Sequence, residues 1–157
     1  MAIETERKFL LRSDAWRSRA TSVTTMRQGY VAATPDRTVR IRIAGPLAWL
    51  TLKFGGPGRS REEYEYPIPI ADAEALLVHA ADCIVKDRHI VPWDGFAFEI
   101  DVFRGRLTGL ILAELEIETG PWPAVFPDWI GREVTDDARY YNAVLARDGM
   151  PSDMAER

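Results

Sequence analysis

Along most of this chain apolar and polar residues alternate one by one, and the polar members of the alternation are nearly all charged. The opening run, Ile3-Glu4-Thr5-Glu6-Arg7-Lys8-Phe9, sets the pattern: an extended backbone puts Glu4, Glu6 and Lys8 on one face and the residues between them on the other. On a helix the same residues would reduce to a surface pair of small worth between Glu4 and Lys8. The period of two returns on segments rich in β-branched and aromatic residues, which favours strands. The pattern predicts strands near residues 2–10, 26–33, 38–44, 48–54, 61–68, 83–91, 96–103 and 110–119. Turn chemistry separates them at Thr34-Pro35-Asp36, Ala44-Gly45-Pro46, Gly55-Gly56-Pro57-Gly58, Pro92-Trp93-Asp94-Gly95 and between Gly105 and Gly109. Such short connections make neighbouring strands antiparallel. Helical spacing is confined to residues 71–81, with Asp72 as cap, and 136–147, with Thr135 capping the start and Gly149 ending it. Short helices are also expected at 14–19 and 127–130, and residues 151–157 are expected to fray.

Phasing each strand shows what the two faces carry. Arg40 and Arg42 alternate with Val39, Ile41 and Ile43, and Lys53 with Leu52 and Phe54. Arg61, Glu63 and Glu65 alternate with Tyr64, Tyr66 and Ile68, while Lys86 and Arg88 share a phase opposite Val85. Glu99 and Asp101 alternate with Phe98, Ile100 and Val102, and Glu114, Glu116 and Glu118 with Ala113, Leu115 and Ile117. An antiparallel sheet usually leaves its charged face in water. This face contains almost no Ser, Asn or Gln and sets like charges two residues apart, a repulsive arrangement unless counter-ions arrive. The alternative is a closed eight-stranded antiparallel barrel with the charged faces inward and the apolar faces outward beneath the helices, a mainly β fold. Such a barrel has room for side chains or one small ligand. Burying so many ions dry is prohibitive, so the lumen must be wet, internally paired and built for a charged guest.

Composition narrows the class. At 157 residues, 46% hydrophobic and 28% charged, the chain is one globular domain, expected over residues 1–149 with 150–157 as a tail. One cysteine, Cys83, rules out an intrachain disulfide and a thiolate zinc cluster, and His79 and His89 are too few for a histidine-rich metal site, so a reducing cytoplasm is expected. No apolar run reaches the length that crosses a bilayer, and the acidic start is unlike a signal peptide, so the mature chain is expected to begin at Met1. A net charge of −4 argues against a surface for a nucleic-acid duplex.

A guest that needs both cations and carboxylates is a triphosphate bound with a divalent metal. Mg²⁺ or Mn²⁺ takes oxygen ligands and keeps several waters, so Glu4 and Glu6 facing Glu114 and Glu116 would suffice. Arginine forks suit phosphate oxygens, and Arg40, Arg42, Arg61 and Arg88 accompany Lys8, Lys53 and Lys86. The same residues, with Gln28-Gly29-Tyr30, Thr51-Leu52-Lys53 and the closing Thr135-x-x-x-Arg139-Tyr140-x-Asn142, resemble the CYTH or triphosphate tunnel metalloenzyme family from the first residues to about Ala146. The resemblance implies an eight-stranded tunnel, dependence on a divalent metal, and triphosphate substrates. It makes Glu4, Glu6, Glu114 and Glu116 the metal carboxylates with Asp101 close by. It makes Lys8, Arg40, Arg42, Lys53, Arg61, Lys86, Arg88 and Arg139 the phosphate ligands. Glu63 and Glu65 either hold a second ion or pair with arginines.

The Gln28-Gly29-Tyr30 strand and the compact single domain look most like the bacterial inorganic triphosphatases, which split tripolyphosphate into pyrophosphate and phosphate. Other members act on thiamine or nucleoside triphosphates or cyclise ATP, and a polyphosphate-binding protein without turnover is a further alternative. A lysine among other cations approaches neutrality, so Lys86 with Tyr30 is the candidate proton-handling pair; a packed lumen tyrosine is the competing role for Tyr30. Whether two subunits pair is left open.

Overall fold

A computed structural model describes residues 2–55 and 60–153, excepting the side chains of Ala2 and Glu4. Its strands are β1 (Ala2–Leu11), β2 (Ser22–Thr34), β3 (Arg37–Ala44), β4 (Leu47–Phe54), β5 (Ser60–Pro67), β6 (Cys83–Trp93), β7 (Phe96–Phe103), β8 (Ile111–Ile117) and β9 (Ile130–Glu133). They form one sheet in the order β5-β4-β3-β2-β6-β7-β8-β1-β9, and β5 also pairs with β1. That pairing closes strands β1 to β8 into an antiparallel barrel. One edge of β1 is shared: Ala2 to Thr5 pair with β5, and Phe9 and Leu11 pair with β9. The hairpins are tight where the turn residues are right for it. Between β6 and β7, Asp94 (φ 47°) and Gly95 (φ 79°) both adopt positive φ, the two-residue turn whose twist matches the strands it joins.

The apolar faces point outward into three clusters. Ile41 and Ala48 lie under α1 (Ile70–Leu77), which presents Ala73 and Leu77 at helical spacing. Phe9, Phe98, Ile100 and Leu115 pack with Trp16, Trp129 and Ile130. Leu10, Phe103, Leu110 and Leu112 pack with Val134, Tyr140 and Leu145 of the C-terminal segment. Gly29 of β2 explains one element of the sequence pattern: a Cβ there would stand 2.7 Å from the Ala80 Cβ and 3.0 Å from Leu77, so only glycine lets the end of α1 sit on the strand.

Three elements differ from the sequence reading. The segment 127–130 is not a helix; it turns and becomes β9, the ninth strand, whose Trp129 and Ile130 are buried against the barrel. The helix expected at 136–147 is broken into a 3₁₀ turn (Ala138–Tyr140) and α2 (Asn142–Asp148), with Tyr141 extended between them (φ −70°, ψ 136°). Thr135 is buried and, rather than capping a helix, accepts a hydrogen bond from the Lys8 backbone N–H. Helix α1 begins earlier than expected, at Ile70 after Pro69, and Asp72 lies in its first turn. Gly149 ends α2 at φ 83°, as expected. Pro151 is buried and Asp153 accepts from Tyr140 and Arg132; the rest of the expected tail lies outside the described residues. Among the described residues no helix is long and apolar enough to cross a membrane.

Candidate active site

The barrel encloses the charged face. Lys8, Arg40, Lys86, Arg88, Asp101 and Glu114 are all buried, although each belongs to a residue type that seldom is. They survive there because they are paired. The Lys8 ammonium lies 3.3 Å from Glu114 and also donates to the Tyr140 carbonyl at 3.0 Å. Arg88 forks onto Asp101 through Nε (2.8 Å) and a terminal nitrogen (2.9 Å), and its other terminal nitrogen reaches Glu99 at 2.6 Å. Lys86 donates to the second Asp101 oxygen at 2.7 Å and to Asn142 Oδ1 at 3.0 Å. Arg40 meets Glu65 at 3.5 Å, and Lys53 lies 3.7 Å from Glu63.

Arg42 is different. Among the described residues its guanidinium donates to no carboxylate; its Nε donates to Gln28 Oε1 at 2.9 Å, and Gln28 is itself fully buried. Burial, with Arg40 and Arg88 nearby, pulls Arg42 down to about 9. Burial also pulls the Lys86 ammonium down to about 7, against the favourable pull of Asp101. Arg88 already forks onto that carboxylate, so Lys86 is its second cation and its charged form gains less. Asp101 is held well below the carboxylate range: burial would raise it, but Arg88 and Lys86 outweigh burial. Burial would likewise raise Glu114, yet Lys8 and Arg88 hold it at about 2. Glu99 shifts upward because burial outweighs its contact with Arg88.

The ordinary lysine value is 10.5, so the folded chain binds fewer protons than the unfolded chain between pH 7 and 10.5. Burying Lys86 therefore costs most below about pH 7, and stability recovers as the pH climbs from 7 toward 10.5. In a nitrogen-detected NMR titration the Lys86 Nζ resonance should move with a midpoint near 7. Saturating tripolyphosphate should lift it above about 8, since an anion favours the ammonium. A midpoint near 10.5 in the free protein would show that the pocket does not disfavour the charge.

Most of the residues singled out by the sequence converge. A cavity of about 410 Å³ is lined by Glu6, Lys8, Tyr30, Arg40, Arg42, Lys53, Arg61, Lys86, Arg88 and Glu114. Tyr30 and Lys86 do not bond directly; Gln28 Nε2 donates to the Tyr30 hydroxyl (3.3 Å) and to Asn142 Oδ1 (3.4 Å), which also receives Lys86. Arg139 is not brought to the cavity. It forks onto Asp137 and reaches Asp153, half exposed. Both Asp101 oxygens are taken by Arg88 and Lys86. The strand phase of Glu4 is as expected, opposite Arg61, and its side chain lies outside the described residues.

Glu6 and Glu116 are directly opposite on β1 and β8, and Glu114 is opposite Glu99 on β7. Among the described residues no three metal-ligating side chains converge on one point. This donor set fits a hard divalent ion bound through one or two carboxylates, with water and phosphate oxygens completing its shell. Glu63 and Glu65 pair with Lys53 and Arg40.

Residues outside the candidate set also shape the site: Tyr141 and Asn142 line the cavity, and Gln28 and Thr51 bond to the lining arginines Arg42 and Arg40. Gln28 shares the phase of Tyr30, and Thr51, which bonds to Arg40 and Glu65, shares that of Lys53. Strand alternation therefore carried a signal for both. Tyr141 and Asn142 reach the cavity only because the expected helix is broken.

Comparison with known proteins agrees with this geometry. Inorganic triphosphatase of Acetivibrio thermocellus is 42% identical over 151 residues, covering 94% of this chain and 95% of the relative. Inorganic triphosphatase of Nitrosomonas europaea is 38% identical over 149 residues, covering 91% and 96%. The solved structure of the inorganic triphosphatase NE1496 superposes with a TM-score of 0.63 at 33% identity, covering 93% of this chain and 95% of that one. A protein of Pyrococcus horikoshii shares the fold at 15% identity, with a TM-score of 0.61. The CYTH domain model matches residues 2–142, and with this barrel, its charged lumen and these relatives, the chain belongs to the CYTH family.

Proposed function

We propose that the protein hydrolyses inorganic tripolyphosphate to pyrophosphate and phosphate with the help of a divalent metal. The observation that carries this reading is a cation excess at the centre of an enclosed cavity. Among the described residues, half-buried Arg42 bonds to no carboxylate, and Arg40 Nε and Arg61 Nε are buried without a hydrogen-bond partner. Buried donors left unpaired are costly, and a polyanion would satisfy all of them. The two inorganic triphosphatases that resemble this chain along nearly its whole length support the same substrate.

Arg40, Arg42, Arg61, Lys8 and Lys53 would hold the phosphate chain, their charges opposing the negative charge that spreads over the transferred group. Glu6, Glu114 and Glu116, together with the sequence candidate Glu4, would hold Mg²⁺ or Mn²⁺. When bound, that ion would polarise a phosphate oxygen as a Lewis acid. Water attacks the terminal phosphorus, one P–O bond forms, the anhydride P–O bond breaks and pyrophosphate leaves. The neutral fraction of Lys86, whose ammonium burial disfavours, would take the water's proton, and Tyr30, held through Gln28, would orient the water. Asp101 acts here as the counter-ion that aims Arg88 and Lys86, rather than as a metal ligand.

The test is phosphate release from tripolyphosphate, ATP and thiamine triphosphate, each with Mg²⁺, Mn²⁺ or a chelator. Fast, metal-dependent release from tripolyphosphate, far above the other two, is the expected result. Release from none of the three, or a cyclic nucleotide formed from ATP, would overturn it.

A further inference from the structure

The corner between the last two helical turns carries a polar group that nothing above uses. The Tyr141 hydroxyl is buried and has no hydrogen-bond partner among the described residues. Its ring lies beneath the Arg61 guanidinium, 4.7 Å from ring centre to guanidinium carbon, and 5.7 Å from the Lys8 ammonium. All three residues line the cavity. The corner is held from both sides: Lys8 donates to the carbonyl of Tyr140, and Lys86 and Gln28 donate to the side chain of Asn142. Tyr141 sits between these anchors in an extended conformation, so its position is set by contacts to the lumen and not by helix geometry.

A buried, unpartnered hydroxyl on a ring flanked by two cations is a donor that an anionic oxygen would satisfy, and the unpartnered Nε of Arg61 is another. An unesterified terminal phosphate offers three acceptor oxygens with no substituent. A nucleoside triphosphate shares that group at its γ end, but its α-phosphate is esterified, offers fewer acceptor oxygens and carries a group that must pass the Tyr141–Asn142 wall. We propose that Tyr141 donates its hydroxyl hydrogen bond to the terminal phosphate of tripolyphosphate remote from the bond that breaks, the position a nucleoside triphosphate fills with its esterified α-phosphate, and so selects inorganic triphosphate over nucleoside triphosphates. This rests on the triphosphatase reading of the same cavity and adds to it the residue that reads the end of the chain.

The test compares the wild-type chain with Tyr141→Phe. The measurements are melting temperature, tripolyphosphate binding by calorimetry without added metal, and kcat and KM for tripolyphosphate and ATP with Mg²⁺ or Mn²⁺. Removing a hydroxyl that has no partner in the free protein should leave the melting temperature unchanged or slightly raised. Tripolyphosphate should bind about tenfold more weakly, as expected for one hydrogen bond to a charged group. The preference for tripolyphosphate over ATP in kcat/KM should fall by about the same factor, through KM more than kcat. Equal binding and an unchanged preference in the variant would overturn the proposal, as would a lowered melting temperature with unchanged binding, which marks a packing role. If the wild type binds tripolyphosphate without hydrolysing it, the triphosphatase reading fails while the binding comparison still decides the role of Tyr141. If the wild type neither binds nor hydrolyses it, both fall.

Discussion

Replacing Asp101 with alanine should lower the unfolding free energy by about 3–5 kcal/mol, the usual cost of removing one partner from a buried ion pair. Asp101 is 1% exposed and is the shared counter-ion of two buried cations. Without it, Arg88 keeps Glu99 and a distant Glu114, and among the described residues Lys86 keeps only the amide oxygen of Asn142 as a hydrogen-bond acceptor. The cost is the stranded charge more than the lost contact, so Lys86 should shed its proton at lower pH in the variant than in the wild type. The pH dependence has a defined sign. The carboxyl titrates below its ordinary 3.8 in the folded chain, so its stabilisation is complete above that value and fades as the pH falls through the lower folded value. Urea denaturation at neutral and acid pH measures this. The difference between variant and wild type should be large at pH 7 and shrink in acid, and coincident midpoints at pH 7 would remove Asp101 from its structural role.

The largest expected effect on turnover belongs to the acidic edge of the lumen. Glu6→Ala and Glu116→Ala should each lower kcat for tripolyphosphate on the order of 10³-fold, the scale of losing a Lewis acid's charge stabilisation. The two residues face each other across β1 and β8, and the next pair along the lumen, Glu99 and Glu114, is also acidic. Like charges placed opposite repel, so each substitution should leave the melting temperature of the metal-free protein intact or raise it. Steady-state kinetics over a range of Mn²⁺ concentrations, beside calorimetric unfolding, separates the effects. Lost turnover with an intact fold supports a metal role, and activity unchanged at every metal concentration would take these carboxylates out of the metal site.

The strands were legible because period two is a local property. Nearly every barrel strand was visible as charge on one face and β-branched or aromatic residues on the other, and the turn residues between them set neighbours antiparallel. Their inward charge was legible from repulsion: Arg40 with Arg42, and Glu114 with Glu116, make sense only with counter-charges supplied across a lumen. What stayed hidden depended on contacts between distant residues. Strand β9 is short, and its identity comes from Phe9 and Leu11 of β1, more than a hundred residues earlier in the chain. Arg7 fixes it further by forking onto Glu133. The break before α2 is likewise set from outside, by Lys8 donating to the Tyr140 carbonyl and Lys86 to Asn142. A helical pattern in residues 136–147 carries no trace of either.

Among the candidate side chains the same division holds. Sequence by itself determined the barrel strands and the inward direction of the charged faces, because alternation is read from a two-residue repeat and needs no partner, and the order of its motifs carried the resemblance to the family. Tertiary structure decided which charge neutralises which. It turned Asp101 toward Arg88 and Lys86, tied Arg139 to Asp137 on the outside, left Arg42 with only an amide, and brought Tyr141 to the cavity wall. Those outcomes depend on distances of a few ångströms between strands far apart in the chain, and the strength of a buried ion pair depends on such distances far more than on the identity of its two residues.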